Sequence, residues 1–589
     1  MKHLLRFTAL SALLVVSSLT IADSSSNSCG TSGCNTGVSG CSDGKCGSCS
    51  KCSSSSNCCS DGKCGTCSKC CDKSCFTSTD SCGTNCSNGC CGTSSSNCCS
   101  SCCDTDNVSC KSHFTPRSQG MDLARLLVGR HHRIHLYDKD EMYGSFDVAL
   151  AWQQTFRQDR LAKYISPNCN TTFTVGADGE ALTNVRADDF GLNCTGQVRM
   201  CPRIQSFIAD IDFFVGFNSW LEGLYADLQL PVVYTRWDSN CCFTNTQACG
   251  DDFEDFYMSQ DQDKSGSVQS FQNGVNGTEN WGDVDQLLCY AKLCCGKQTE
   301  TRLADLRFRL GYDIWLKEDY HFGLKLVTAA PTGTKPDARF LWEPIAGNGG
   351  HWELGGGLTA SALLWEKDED SRLSWHLDSE ITYMFKSREH RRTFDLRPNG
   401  CFSRYLLLKK FKQNNDNENP ELVGLVRGPN VLTQCVRTQI NVHAEVATLF
   451  SFAWNNWMFD LGYDGWFRSS EKLCSFCPSI ADKTFGIKGI QPMAEDEETA
   501  DLSTASTSTI AKAGDRDEEI TYLTSSSINA CSALHPSAIS HSVFGNISYA
   551  WDDTDWAPSI GVGGKAEFSG RGNRAANQWQ VWAKGGVAF

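Results

Sequence analysis

The stretch that decides the fold is LRFRLGYDIWL, residues Leu306–Leu316. Its even positions are all large apolar side chains, whereas its odd positions include two arginines and an aspartate. A period of two is that of a β-strand, whose successive side chains point to opposite faces. The stretch therefore predicts a strand with one apolar face and one polar face.

The same alternation recurs from about residue 143 to the end of the chain. Twelve strands are predicted, near residues 146–152, 207–215, 224–234, 306–316, 320–326, 352–364, 373–385, 440–450, 457–467, 542–551, 557–568 and 578–589. Their connections alternate between long and short, as in outer-membrane barrels, which have long external loops and short periplasmic turns. We therefore predict an all-β fold, a closed antiparallel transmembrane β-barrel of twelve strands, with ten to fourteen compatible. A soluble sandwich is the alternative.

The last predicted strand ends the chain at an aromatic residue. It reads QWQVWAKGGVAF from residue 578, and Trp579, Val581 and Phe589 lie on one side of it. Such an ending resembles the C-terminal signal of the outer-membrane barrels of Gram-negative bacteria. The resemblance implies that the barrel assembly machinery recognises these residues, that the protein resides in the outer membrane, and that lipid surrounds it.

The N-terminus has the pattern of a secretory signal, with basic residues before an apolar run and a cleavage point at Ala22. The predicted division is a signal peptide at 1–22, a Cys-rich low-complexity segment at 23–112, a linker with a short helix at 113–142, and the barrel at 143–589. The Cys-rich segment is placed in the periplasm, and the short helix is expected to plug the periplasmic opening.

The chain has 36 cysteines, of which 22 lie from Cys29 to Cys110 in a tract rich in serine, glycine and asparagine. Because the tract has almost no apolar residues, we predict a disordered tail cross-linked by disulfides. The spacing of Cys46, Cys49 and Cys52 is also compatible with zinc. In composition the tract is similar to cysteine-rich envelope proteins of some intracellular bacteria, which implies disulfide-linked envelope partners. The other 14 cysteines fall in predicted long loops, where disulfides would hold the loops compact.

The polar faces of the strands are assigned to the lumen, because the face toward lipid must be apolar. The predicted lumen-lining residues are Asp147, Asp210, Asp212, Asp227, Arg307, Arg309, Asp313, Lys325, Glu353, His376, Asp378, Glu380, Lys386, Arg437, His443, Glu445, Asp460, Asp464 and Lys584. Since unpaired buried charges are costly, we expect a hydrated interior. The formal net charge of -15 argues against nucleic acid as a partner.

Two motifs are weak candidates for metal binding. Asp261, Asp263 and Ser265 have the spacing of the first half of a calcium loop, but position twelve is Gln272, so a polar turn-rich loop is the alternative. The three histidines His131, His132 and His135 precede the first strand. They could bind a metal or pack under the barrel mouth. No other cofactor is predicted.

No nucleophile elbow, phosphate-binding loop or HExxH helix is present, so we predict that the chain is not an enzyme. The stretch AAPTGTK, residues 329–335, is similar to a Pro-Thr-Gly loop of outer-membrane transporter-like barrels. That similarity implies transport. We predict a pore or transporter for small solutes. The alternative is a non-conducting structural or adhesive envelope protein cross-linked by disulfides.

Overall fold

The computed structural model describes residues 110–589 apart from 138, 140, 168–169, 177–183, 260, 295, 369–370, 398, 413–420, 477–479, 490–521, 552–555 and 570–575. The predicted signal peptide, and the Cys-rich segment up to residue 109, lie outside the described residues. In the described part, twelve antiparallel strands form one closed sheet, so the predicted all-β barrel of twelve strands is confirmed.

The barrel strands follow one another around the wall in chain order. They are β1 (Met142–Thr155), β2 (Arg203–Phe217), β3 (Leu224–Asp238), β4 (Leu306–Leu316), β5 (Tyr320–Ala330), β6 (Glu353–Asp368), β7 (Ser371–Met384), β8 (Thr433–Trp454), β9 (Trp457–Arg468), β10 (Ala538–Ala550), β11 (Ser559–Ser569) and β12 (Gln578–Ala588). Strand β12 pairs with β1, with Leu150 opposite Ala583, and this pairing closes the cylinder. Closure satisfies the backbone groups of a sheet edge, which lipid cannot do.

The outer surface of the barrel is apolar, because the apolar side of each alternating strand points outward. Leu461, for example, is 67% exposed. Tryptophans gather at the rim where the short turns lie: Trp220, Trp315, Trp365, Trp454, Trp457, Trp551 and Trp556. An aromatic girdle of this kind marks a membrane–water interface. An apolar belt around a closed cylinder is stable only in lipid, so the chain is an outer-membrane β-barrel.

Short turns and long connections lie at opposite rims. The turns span 218–223, 317–319, 369–370, 455–456 and 551–558, and the main long connections span 156–202, 239–305, 331–352, 385–432 and 469–537. Helices α2 (Gln158–Ile165), α3 (Phe271–Asn276) and α4 (Gly428–Leu432) belong to the long connections, whereas α1 (Leu123–Leu127) precedes the barrel. None of the helices in the described part of the chain has the length and apolar character that crossing a membrane requires.

The long connections fold into a cap with its own small sheets. The cap strands are Thr172–Gly176, Val185–Arg186, Gly196–Arg199, Cys242–Thr244, Asp395–Leu396, Leu407–Lys412, Glu421–Arg427, Phe485–Ile487 and Ile528–Asn529; the wall is extended by Lys297–Leu303, His390–Thr393 and Glu471–Phe476. Single 3-10 turns occur at Asp188–Phe190, Gln262–Lys264, Ser403–Tyr405, Ser525–Ser527 and Ala530–Ala533.

An apolar core and disulfides hold the cap together. The core includes Trp237, Trp342 and Phe402, each at most 2% exposed. The predicted disulfides of the long connections are confirmed by the pairs Cys194–Cys249 and Cys241–Cys294. A third disulfide joins Cys110, the last cysteine of the Cys-rich segment, to Cys401 of a long connection. The sequence placed every later cysteine in a loop, but Cys435 lies within β8 and Cys474 on a wall extension, because the strands here continue beyond the membrane.

Candidate functional site

Residues 110–137, which we call the plug segment, fill the inside of the barrel. Contacts with strand β9 show the direction in which this segment runs, because β9 begins at the turn rim and ends at the long-loop rim. Asp464, nearer the long loops, accepts a hydrogen bond from Arg117 at 3.0 Å. Asp460, nearer the turns, accepts one from the amide of Gly129 at 3.2 Å. The plug segment therefore descends from the long-loop rim toward the turns.

The two ends of the plug segment are held at opposite rims. At the long-loop rim, Cys110 forms a disulfide with Cys401, with 5.7 Å between the Cα atoms. At the turn rim, the amide of Leu136 donates to the Tyr143 hydroxyl at 3.0 Å. The side chain of Asn218, in the turn after β2, donates to the Leu136 carbonyl at 3.3 Å. The segment that the sequence treated as a linker thus crosses the full height of the barrel.

Four arginines of the plug segment pair with carboxylates of the wall. Arg125 donates to Asp210 from two nitrogens, at 2.7 and 3.0 Å, and Arg133 donates to Asp147 at 2.5 Å. The other pairs join Arg117 to Glu445 and Asp464, and Arg130 to Asp212 and Asp227. Guanidinium groups suit this role, since they remain charged and form forked hydrogen bonds with carboxylates.

Helix α1 lies in the lumen with its last carbonyls turned toward a lysine of the wall. Lys584 on β12 donates to the carbonyls of Arg125, Leu126 and Val128, at 3.1, 2.7 and 2.9 Å. The last carbonyls of a helix lack partners within the helix and carry partial negative charge. A lysine there satisfies them and fixes the helix across the lumen.

A second network joins charged side chains of the wall to one another. Arg307 on β4 pairs with Glu380 at 2.9 Å and with Glu353 at 3.1 Å. Arg309 pairs with Glu380 at 2.5 Å and with Asp227 at 2.8 Å. Glu380 is fully buried, so these pairs are what make its burial tolerable.

The outer end of the plug segment is anchored in the cap by Glu471. Its carboxylate accepts from the Thr115 hydroxyl at 2.9 Å, from Arg392 at 3.4 Å and from the His535 amide at 2.9 Å. Burial alone would raise the pKa of Glu471, but the charge of Arg392, with smaller help from its neighbours, holds this pKa well below its usual range. The anchor is therefore ionised at neutral pH.

The structure brings most of the predicted lumen-lining residues together inside the barrel. The buried ones are Asp147, Asp210, Asp212, Asp227, Arg307, Arg309, Asp313, Lys325, Glu353, His376, Glu380, His443, Glu445, Asp460, Asp464 and Lys584. Asp378 is half-buried and pairs with Lys325 at 2.5 Å. Many of these charges have protein partners on the wall and the plug segment, and a hydrated interior stays a prediction.

Two of the predicted lumen residues do not face the interior. Lys386 lies beyond the end of β7 and is exposed. Arg437 is also exposed, where it pairs with Glu389. On β7, Thr382 pairs with His443 of β8, but Met384 pairs with Ile440, so the register shifts between these two pairs. The alternation of inward and outward residues in β8 is therefore reversed before Ile440 relative to the part after His443. Strict counting of alternate residues from the membrane part therefore placed Arg437 on the wrong face.

The three histidines of the plug segment pack inside the barrel. His135 contacts Asp313 at 2.7 Å and stacks on His321 with 4.3 Å between ring centroids. His131 lies 4.3 Å from His376, again between ring centroids. The ligand atoms of His135, Asp313 and His321 lie within 4.8 Å of one another, so the structure supplies the carboxylate that the sequence pattern lacked. Metal binding here stays a prediction.

The remaining predicted residues lie at the surface. Asp261 and Asp263 are exposed, Ser265 is half-buried, and Asp261 accepts from the amide of Asp263 at 3.0 Å in a 3-10 turn. Calcium binding there stays a prediction. In the C-terminal strand, Val581 and Phe589 are exposed on the outer side and Trp579 is half-buried.

Sequence reasoning missed the plug arginines Arg117, Arg125, Arg130 and Arg133. These residues follow no alternation, and their partners lie far away in the chain: Arg125 is 85 residues from Asp210, and Arg117 is 328 residues from Glu445. One signal was available. The predicted lumen face carried more carboxylates than cations, so a basic segment elsewhere was needed to balance it.

Comparisons with known proteins find matches among solved structures alone. No family model matches the chain, and no curated protein matches it. Among solved structures, an outer membrane channel from Pseudomonas putida F1 matches with a TM-score of 0.31 and 9% identity over 76% of this chain and 96% of that chain. A FadL homologue from Pseudomonas aeruginosa matches with a TM-score of 0.23 and 5% identity over 76% and 90% of the two chains. The toluene transporter TbuX from Ralstonia pickettii matches with a TM-score of 0.24 and 8% identity over 76% and 89%.

Proposed function

We propose that the chain is a gated pore or transporter for small solutes, held closed in this structure by the plug segment. Passage through the lumen then requires the plug segment to shift. The observation that carries the proposal is the polar contact between plug and wall, made by Arg117, Arg125, Arg130 and Arg133 with wall carboxylates.

The chemistry of this contact supports a movable plug. A barrel that serves only as a scaffold can fill its interior with packed side chains, and small barrels do so. Here the wall is acidic and the plug basic, and water can solvate both once they separate. The apolar contacts between the plug segment and the wall are divided among four separate clusters, which contain Leu127, Ile134, Met121 and Leu126 respectively.

The close fit of the plug segment supports a closed lumen. The amide of Leu123 donates to Glu445 at 2.8 Å across the interior. Gly120 lies so close to the wall that a Cβ atom there would come within 2.6 Å of Pro231 and 2.8 Å of the Ala304 carbonyl oxygen. The plug segment therefore contacts the wall directly at this level of the barrel.

Electrical recording on the purified full chain in planar bilayers tests the proposal. We expect rare or no openings from the wild type, and stable single-channel steps from a variant whose plug contacts are weakened, Arg125→Ala combined with Arg133→Ala. Liposome swelling with small sugars, amino acids and aromatic alcohols would then rank the solutes. If the folded double variant conducts no better than the wild type, the proposal fails and a non-conducting envelope protein is the remaining function.

A further inference from the structure

The course of the plug segment determines on which side the preceding residues leave the barrel. The first contacts of the plug segment are all with long connections. Cys110 bonds to Cys401, which lies between β7 and β8. The amide of Lys111 donates to the Tyr164 carbonyl, in the connection after β1, at 3.0 Å.

Lys111 and the next residue, Ser112, also contact a third long connection. The amide of Ser112 donates to the Ser532 carbonyl at 2.9 Å, and Lys111 Nζ donates to the Cys531 carbonyl at 2.6 Å. Both partners lie between β9 and β10. Residues 110–112 therefore lie among the long connections.

The long connections are the external side of the membrane. Outer-membrane barrels have short periplasmic turns and long external loops. Phe589 lies at the turn rim, where its amide donates to the Gly144 carbonyl at 2.9 Å. In this orientation it is on the periplasmic side. The plug segment thus runs inward from the external rim to the periplasmic rim, where β1 begins.

We propose that residues 23–109, with 21 of the 36 cysteines, are displayed on the external face of the outer membrane. A periplasmic location would require a second pass of the chain through a lumen that the plug segment occupies. That pass would have to break buried ion pairs such as Arg125–Asp210 and Arg133–Asp147. Breaking buried pairs without replacement is strongly unfavourable.

This inference does not depend on conduction, since it follows from the course of the plug segment alone.

Labelling of intact cells tests the location. An epitope is inserted between Ser55 and Ser56, which leaves every cysteine in place, and cells are stained with an antibody that cannot cross the outer membrane. The matched control variant carries the same epitope within residues 413–420 of a long connection, and a soluble periplasmic protein reports leakage. We expect both epitopes to stain on intact cells. Staining of the tract epitope only after permeabilisation, while the control stains before, overturns the proposal.

Proteolysis of the untagged chain provides a second measurement that does not depend on an insertion. Protease added to intact cells should remove residues before 110 and leave a barrel whose new N-terminus, read by mass spectrometry, lies close to Cys110. A full-length chain that resists protease on intact cells but loses the tract after permeabilisation would contradict external display.

Discussion

Replacing Arg125 by alanine is expected to increase the population of the displaced plug segment far more than the replacement of a surface residue does. The side chain is 1% exposed and bridges Asp122 and Asp210. Removing one partner of a buried ion pair costs about 3 to 5 kcal/mol. We expect the lower end, because Gln229 still donates to Asp210 at 2.9 Å and Lys565 still pairs with Asp122 at 2.9 Å.

A loss of about 3 kcal/mol corresponds to roughly a hundredfold change in the population of the displaced plug, since each 1.4 kcal/mol is tenfold. The assay is the open probability of the purified protein in planar bilayers. Arg157→Ala is the matched control, because Arg157 pairs with Asp159 in a long connection with 42% of its side chain exposed. Heat-dependent mobility on electrophoresis confirms that both variants are folded barrels.

The charge partner provides an internal check. Asp210→Asn alone leaves Arg125 without its main partner and should also raise the open probability. The free energy of opening follows from the open probability of each variant. In the double variant with Arg125→Ala, the change in this free energy should be less than the sum of the changes in the two single variants, because residues in direct contact are not independent. If folded Arg125→Ala has the open probability of Arg157→Ala, the assignment of the plug segment as the gate is refuted.

Three further predictions concern the seating of the plug segment. Gly120→Val should lower the thermal stability of the barrel and raise conductance, because Cβ would meet the Ala304 carbonyl oxygen at 2.8 Å. Gly266→Val serves as a control for added bulk, because its Cβ would have only the Asp252 carboxylate within 4 Å, at 3.9 Å, and equal effects of the two changes would exclude the clash. Cys401→Ser should speed protease cleavage near residue 110 but leave the ion pairs of the lumen in place, and its conductance should therefore stay below that of Arg125→Ala. Equal conductance of the two variants would place the gate in the cap. Glu471→Gln should lower the melting temperature at pH 7. Since the pKa of Glu471 is depressed on folding, its stabilisation is fully present above about pH 4.3 and is lost as pH falls through the folded pKa. The difference in melting temperature from wild type should therefore shrink as the pH is lowered below about 4.3, and a difference that does not change with pH would contradict the ionised anchor.

Alternation was enough to predict the barrel, because lipid imposes the same requirement on every strand. In strand β4, Phe308, Leu310, Tyr312 and Ile314 face outward irrespective of their neighbours, so a local pattern carries the fold. The same reasoning failed at Arg437, where a register shift near Thr382 moves the strand by a residue. Such a shift depends on the partner strand and leaves no mark in the local pattern.

The plug segment and the cap could not be predicted in this way, because both depend on contacts between distant parts of the chain. Arg125 has no local signal that specifies Asp210, and the core residues Trp342 and Phe402 lie in what read as loop sequence. The excess of carboxylates over cations in the lumen was visible in the sequence. Charge balance alone, however, does not identify the basic segment that compensates for this excess.

Hydrogen exchange of the purified protein tests most directly whether residues 110–137 fill the barrel. In this segment the amides of Leu123 and Gly129 donate to Glu445 and Asp460 of the wall, at 2.8 and 3.2 Å. We predict that peptides covering residues 115–136 exchange as slowly as the barrel strands, and that Arg125→Ala speeds their exchange selectively. Exchange of these peptides within seconds in the folded wild type would show that the segment lies outside the lumen.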